Sequence, residues 1–325
     1  MINSKKIAYS MMQEGGIGVI LILICIIFSL VSPNFLTAVN ISNIFTQISI
    51  NIVLALGMTF VILLGGIDLG VGSVLALCTI IAGNVMLVEN FSPGIAIFLA
   101  IISSVLVGML CGFINGFVSQ KWRIPAFIVT MGMLNIARGF ALKLSDSRTL
   151  FGFPAVFNNL GTASFLQIPF IFWIAVILIA IADFVLRKTV YGRILYAIGN
   201  NEEAVRLSGH NVKSYIILAY VICGGAVGIA GIMYMMRLNI ASPILGSGFE
   251  LTAIAAAVIG GTSMTGGKGS MLGTLLGACI LGVLNNGLLL IGLGDNDRQI
   301  ITGIIIVAAV VLDSYRIRFI GIVNK

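Results

Sequence analysis

The stretch Gly260–Ser270, GGTSMTGGKGS, is the part of this chain whose residue types come nearest to a reactive site. A loop that cradles nucleotide phosphates follows G-x-x-x-x-G-K-[ST]: glycines bring backbone N–H groups to the phosphates, lysine reaches the outer ones, and the last hydroxyl holds magnesium. Lys268 follows Gly267 as that pattern requires, but Thr262 stands at the first glycine position and Gly269 where the hydroxyl belongs. The stretch is a near miss for nucleotide binding, and its role has to come from the rest of the chain.

Other chemistry is sparse. Cys25, Cys78, Cys111, Cys223 and Cys279 all lie in apolar runs, their number is odd, and no C-x-x-C occurs, so they read as small packing residues. His210, the single histidine, sits in a polar loop. There is no H-E-x-x-H, no G-x-S-x-G and no Cys/His cluster, which argues against a membrane-embedded enzyme.

The elements that would carry any site are membrane spans. The 325 residues are 59% hydrophobic and 9% charged, against roughly 25% charged in a soluble domain. A water-exposed surface cannot be built from so few charges, so the chain reads as an all-α polytopic membrane protein. Ten apolar runs are long enough for spans, near 17–32, 44–64, 69–88, 94–118, 124–142, 168–186, 214–236, 250–264, 270–291 and 298–313. The first follows Lys5 and Lys6 like a signal peptide, but no small-residue cleavage site comes after it, and it is taken as an uncleaved span. The turns GGIDLG (Gly65–Gly70) and TGGKGS (Thr265–Ser270) are tight, and a broken helix at either would lower the count.

Charge placement orients the spans. With the N-terminus in the cytoplasm, only Arg138, Lys143, Arg148, Arg237 and Arg298 of the 18 lysines and arginines fall outside; the other thirteen fall inside. Ten spans with both termini cytoplasmic satisfy the positive-inside rule, and the basic balance needs no nucleic acid. The halves also echo each other. Gly66-Ile67-Asp68-Leu69 before the third span matches Gly248-Phe249-Glu250-Leu251 before the eighth, and GFING (Gly112–Gly116) matches GVLNNG (Gly282–Gly287). Matched segments in oppositely oriented spans are the pattern of a five-helix inverted repeat.

Charges within the spans are costly and usually functional, yet almost none lies mid-span. Asp68 and Glu250 fall at expected helix starts, where an acid complements the dipole; a structural role is expected for both. Asp183 and Asp313 lie near Arg187 and Arg316 at span ends. No acid chain suggests a proton relay. Asn115, Asn135, Asn285 and Asn286 lie in or near the spans and could bond a neutral hydroxylated solute or a neighbouring helix, with helix bonding favoured for each.

Residues 187–213 form the longest inside segment, within what reads as one permease domain over residues 1–325. Asn201 suits an N-cap, Glu202 and Glu203 the first helical turn, and Gly209 the residue after a helix end. Ala204, Val205, Leu207 and Ser208 give this two-turn helix a partly apolar face. It is too short to be stable alone, and its paired acids fit a protein partner better than a lipid surface.

Taken together, SPNFLT (Ser32–Thr37), GMTFVILLGGIDLGVGS (Gly57–Ser73), YGRILYAIGNNEEAVRLSG (Tyr191–Gly209), GFELTAIAAAVIGGTSMTGGKGS (Gly248–Ser270) and LGVLNNGL (Leu281–Leu288) resemble the permease subunits of bacterial ABC sugar importers of the ribose, xylose and galactose type, most closely those for ribose. The resemblance implies a pore of two permeases, identical or paired with a similar one. It implies a cytoplasmic ATPase with two nucleotide domains that holds ATP and magnesium, so that this chain binds no cofactor. It also implies an extracytoplasmic sugar-binding protein. In such permeases a coupling segment enters a cleft on the ATPase; here it corresponds to Gly199–Gly209, with Glu202, Glu203 and Arg206 as polar contacts and Gly199, Asn201, Ala204, Leu207 and Gly209 as its frame. Gly266, Gly267 and Lys268 then form a cytoplasmic turn and need hold no nucleotide. A facilitator or secondary transporter working without ATP is the alternative; it leaves the capped helix unexplained, and a symporter would want the coupling charges that the spans lack.

Overall fold

The computed structural model describes the backbone of residues 2–323 and the side chains of residues 15–308 and of Val311. Lys5, Lys6, Asp313, Arg316, Arg318 and Lys325, which entered the charge count and one expected pairing, lie outside the described side chains. The chain is almost wholly helical. The first half contains α1 (Ile2–Val31), α2 (Ala38–Ile62), α3 (Val71–Met86), α4 (Pro93–Trp122) and α5 (Ala126–Leu144). A short α6 (Ala155–Thr162) and a two-stranded antiparallel hairpin, β1 (Ser164–Phe165) with β2 (Ile168–Pro169), lead to α7 (Phe170–Lys188). Then follow α8 (Val190–Asn200), α9 (Glu202–Leu207), α10 (Val212–Leu238), α11 (Phe249–Ile259), α12 (Met271–Leu290) and α13 (Asp295–Val323).

Each expected apolar run carries a helix, and among the described residues six of these helices (α2, α4, α5, α7, α10 and α12) are long and apolar enough to cross a membrane. Of these, α2 and α10 are largely buried at the centre. On α4, Phe98, Leu106, Leu110 and Phe113 are exposed, as are Ile177, Ile181 and Phe184 on α7. An apolar outer surface over a packed interior is what lipid, not water, requires of a helix bundle.

Close approach of small residues binds the bundle together. A Cβ on Gly108 of α4 would lie 2.1 Å from the Gly224 carbonyl oxygen of α10, and one on Gly224 would lie 2.0 Å from that of Gly108. Ser104 Oγ donates to the Gly228 carbonyl at 2.8 Å. Small residues spaced by four allow such backbone contact, where dispersion and hydrogen bonds replace a hydrophobic drive that lipid does not supply. The same device joins α11 to α12, where Gly260 and Gly273 face each other's carbonyls.

The neighbours form matched sets. α4 packs on α10 as α12 packs on α2; α3 packs on α4 as α11 on α12; α3 meets α10 as α11 meets α2; and α3 meets α5 as α11 meets α13.

Two helices begin inside the bundle after irregular backbone. The expected eighth span, 250–264, is helical only over the 11 residues of α11, or ~16 Å at the rise of an α-helix, about half the ~30 Å of a bilayer core. Pro243 and the positive φ of Gly246 (75°) and Gly248 (82°) keep the preceding segment out of a helix. Its carbonyl groups are satisfied by protein: Arg138 of α5 donates to the Pro243 oxygen and, at 2.9 Å, to that of Leu245. Irregular backbone at such depth is tolerated only where protein or a cavity surrounds it. The segment between α2 and α3 matches it. Thr130 Oγ1 donates to the Ile67 carbonyl, and a Cβ on Gly72 would lie 2.1 Å from the Gly246 oxygen. The segments adjoining the two echoes therefore meet in space, Gly72 just after Gly66–Leu69 and Gly246 just before Gly248–Leu251.

Candidate functional site

One end of the bundle gathers the segments 64–66, 119–126, 202–213 and 263–270. Its outermost element is α9. Asn201 caps it, its Oδ1 accepting the Ala204 amide at 3.0 Å, and the Gly209 amide donates to the Arg206 carbonyl with Gly209 at φ 85°. Glu202 and Glu203 occupy the first turn, and the Arg206 side chain donates to both carboxylate oxygens of Glu203. That hydrogen bond and charge hold the Glu203 carboxyl below its ordinary range. Val205 alone points inward; Ala204, Arg206 and Leu207 are exposed, Leu207 at 78%. This six-residue helix therefore presents a leucine beside charges, fixed by one buried valine.

The helix before it, α8, was not expected as a separate element, and it is what seats α9 on the bundle. Tyr196 Oη donates to the Gly269 carbonyl at 2.9 Å, and Asn200 Nδ2 to that of Gly267 at 3.3 Å. Gly267 in turn donates its amide to the Leu63 carbonyl at the end of α2, at 2.9 Å. A Cβ on Gly199 would stand 2.0 Å from the Leu63 oxygen and 2.3 Å from the Gly267 nitrogen. Glycine is required at 199 because three segments converge there.

These contacts settle the geometry of the near-miss loop. The amides of Gly261, Thr262, Ser263, Gly266 and Gly267 already donate to protein carbonyls, so they make no nest of free N–H groups for a phosphate. Gly266 and Gly267 take φ 84° and 72°, and Lys268 is exposed. The loop is a joint between α8, the end of α2 and the helices α11 and α12.

Beside α9 lies a cleft of about 690 Å³, rimmed by Gln120, Arg123, Glu203, Arg206 and Lys213 and closed at its inner end by Gly66 and Tyr220. Behind that end sits Asp68. Its Oδ1 accepts the Gly70 amide at 2.8 Å, just before α3, and its Oδ2 accepts from Asn115 Nδ2 at 3.3 Å. Glu250 lies in the first turn of α11 against Gly72.

The four asparagines separate. Asn115 is buried against Asp68. Asn286 forms a reciprocal amide pair with Asn40 of α2, at 3.0 and 2.9 Å, and so joins α12 to α2. Asn135 is exposed and donates back to the Met131 carbonyl, while Asn285 is half-buried. Asp183 pairs with Arg187 at 2.7 Å, as their spacing suggests. Sequence reasoning gave no role to Tyr196 or Tyr220, counted Arg138 only among the outside charges, and took Asn200 only as part of the Gly199–Gly209 segment. A polar or aromatic residue in a run such as LAYVICGG was the available signal for Tyr220.

Packed helices with an apolar outer surface, a polar cleft at one end and a projecting helix beside it define a membrane transport subunit. The chain belongs to the family described as branched-chain amino acid transport system / permease component, whose pattern matches residues 40–310. It is 41% identical over 299 residues to the ribose import permease protein of Haemophilus influenzae, covering 91% of each chain. It is 40% identical over 314 residues to the ribose import permease protein of Bacillus subtilis, covering 96% of each. It is 39% identical to the D-allose transport system permease protein of Escherichia coli, over 90% of this chain and 89% of that one. No solved structure matches it.

Proposed function

We propose that this chain is the translocating subunit of an ATP-driven importer in a bacterial cell membrane, carrying ribose or a closely similar monosaccharide. The observation that carries the reading is α9, a capped and projecting helix hydrogen-bonded through α8 to the glycine loop, in a chain about 40% identical to ribose permeases along nearly its whole length. A separate ATPase with two nucleotide domains receives α9 and holds ATP and magnesium; this chain holds no cofactor. A second permease, identical or similar, completes the pore, and an extracytoplasmic binding protein supplies the sugar.

Ten membrane segments arranged as an inverted repeat, with both termini cytoplasmic, fit the matched packing of α2–α5 and α10–α13 and the meeting of the two irregular segments. In this arrangement α3 and α11 are discontinuous elements, the kind that borders the solute path in such repeats. Coupling follows from the contacts. Closure of the nucleotide domains displaces α9; α8 moves with it; Tyr196, Asn200 and Gly199 transmit the shift to the loop at Gly267 and to the end of α2; and the bundle changes the side to which the path opens.

The family description raises a second reading, a branched-chain amino acid as cargo. Uptake into proteoliposomes that contain the permease with its ATPase and binding protein separates the two. ATP-dependent entry of ribose, not displaced by excess leucine, is expected. Entry of leucine without ribose would replace the sugar assignment.

A further inference from the structure

Resting on the sugar-import reading, we infer that Asp68, Asn115 and Tyr220 form a hydroxyl-binding subsite at the inner end of the cleft, contacting the sugar as it leaves the bundle. Tyr220 is 1% exposed and Asn115 1% exposed, yet among the described residues Tyr220 Oη and Asn115 Oδ1 have no hydrogen-bond partner. A buried polar atom left unpaired costs free energy comparable to a lost hydrogen bond, and such orphans call for an explanation. Both belong to one constellation. Asn115 donates to Asp68; a Cβ on Gly112, one turn before Asn115, would meet the Tyr220 carbonyl oxygen at 2.1 Å, so the two helices touch there; and a Cβ on Gly66 would fall 2.6 Å from Tyr220 Oη. Glycine at 66 thus keeps a side chain off the buried phenol oxygen, on the wall of the cleft that Gly66 and Tyr220 both line. Ser119, one helical turn beyond Asn115, lines the same cleft.

The chemistry selects the ligand. A carboxylate and an amide oxygen accept, while a phenol donates and accepts. Adjacent sugar hydroxyls, each able to do both, complement that set. Among the described residues no ion pair occupies Asp68, so its oxygens are left to Gly70, Asn115 and a ligand hydroxyl. No group of three acidic, histidine or cysteine side chains there suits a metal ion.

The test is a cycle between protein and sugar hydroxyls in the full complex, with ATPase and binding protein reconstituted. The binding protein is preloaded to saturation with ribose or with each monodeoxyribose, so that its own selectivity does not enter. Tyr220→Phe should slow ribose uptake roughly fivefold. One deoxy analogue should be slowed similarly in the unaltered complex and be indifferent to the substitution, since the two deletions remove the same bond. Co-purification of the ATPase checks assembly of the variant; Asn115→Ser supplies a second, independent cycle. Unchanged ribose uptake with Tyr220→Phe, or an equal slowing of every analogue, overturns the subsite alone. Failure of the unaltered complex to import ribose with ATP overturns the import reading and the subsite with it.

Discussion

Gly199 and Asn286 show how single side chains hold this protein in shape. At 199 the space for a Cβ is taken by the Leu63 oxygen and the Gly267 nitrogen. Gly199→Ala must therefore push α8 off the loop, at a cost of about 1–3 kcal/mol for an overpacked contact. A lower melting temperature of the purified protein, together with ATP hydrolysis less responsive to loaded binding protein, is the expected result. At 286 the amide is matched by Asn40 in both directions. Asn286→Ala strands a buried amide and should destabilise by about 1 kcal/mol, the scale of interhelical hydrogen bonds in membrane proteins. The double variant Asn40→Leu/Asn286→Leu should recover part of that loss in a denaturation assay. Sequence alone placed Asn286 in a span but left open whether it bonds a helix or a solute, because the partner lies 246 positions away. Asn201 and Gly209 were readable because a cap and its helix are local in sequence.

At the scale of elements, glycine faces and helix ends decide what packs and what moves. Gly108→Leu should force α4 from α10, since even a Cβ there meets the Gly224 carbonyl at 2.1 Å; loss of folded protein from the membrane, followed by fluorescence-detected size exclusion, is the expected outcome. On α9, acidification through the depressed range of Glu203 protonates the carboxyl and removes its pairing with Arg206. The pair is present above the ordinary carboxylate range and lost as pH falls. Because both side chains are exposed, the effect should show in ATPase affinity and not in melting of the bundle. The apolar runs revealed the long helices, whose periodicity and length are sequence properties. They overstated α11, because an apolar run does not reveal that the helix ends at Gly260 and Gly261 (φ 87°), where the Gly261 and Thr262 amides fold back on Val258 and Ala257. They also missed α8, whose amphipathic face becomes meaningful only against the glycine loop.

For the whole molecule, the proposed import requires movement to pass from an outside motor to the bundle. The glycine loop that resembled a phosphate cradle is the proposed joint on that route, its amides committed to protein carbonyls and its neighbours being α2, α8, α11 and α12. The proposed repeat was suggested by short sequence echoes, whereas the close approach of the adjoining Gly72 and Gly246 required the fold. The most direct test of the central claim is the composition of the complex extracted in mild detergent, with native α9 and with Glu202→Lys/Glu203→Lys. The account predicts one two-domain ATPase for two permeases with native α9, and loss of that ATPase from the doubly substituted protein while its membrane insertion is retained. A chain that purifies without any ATPase, while ribose still crosses ATP-free vesicles, would contradict it.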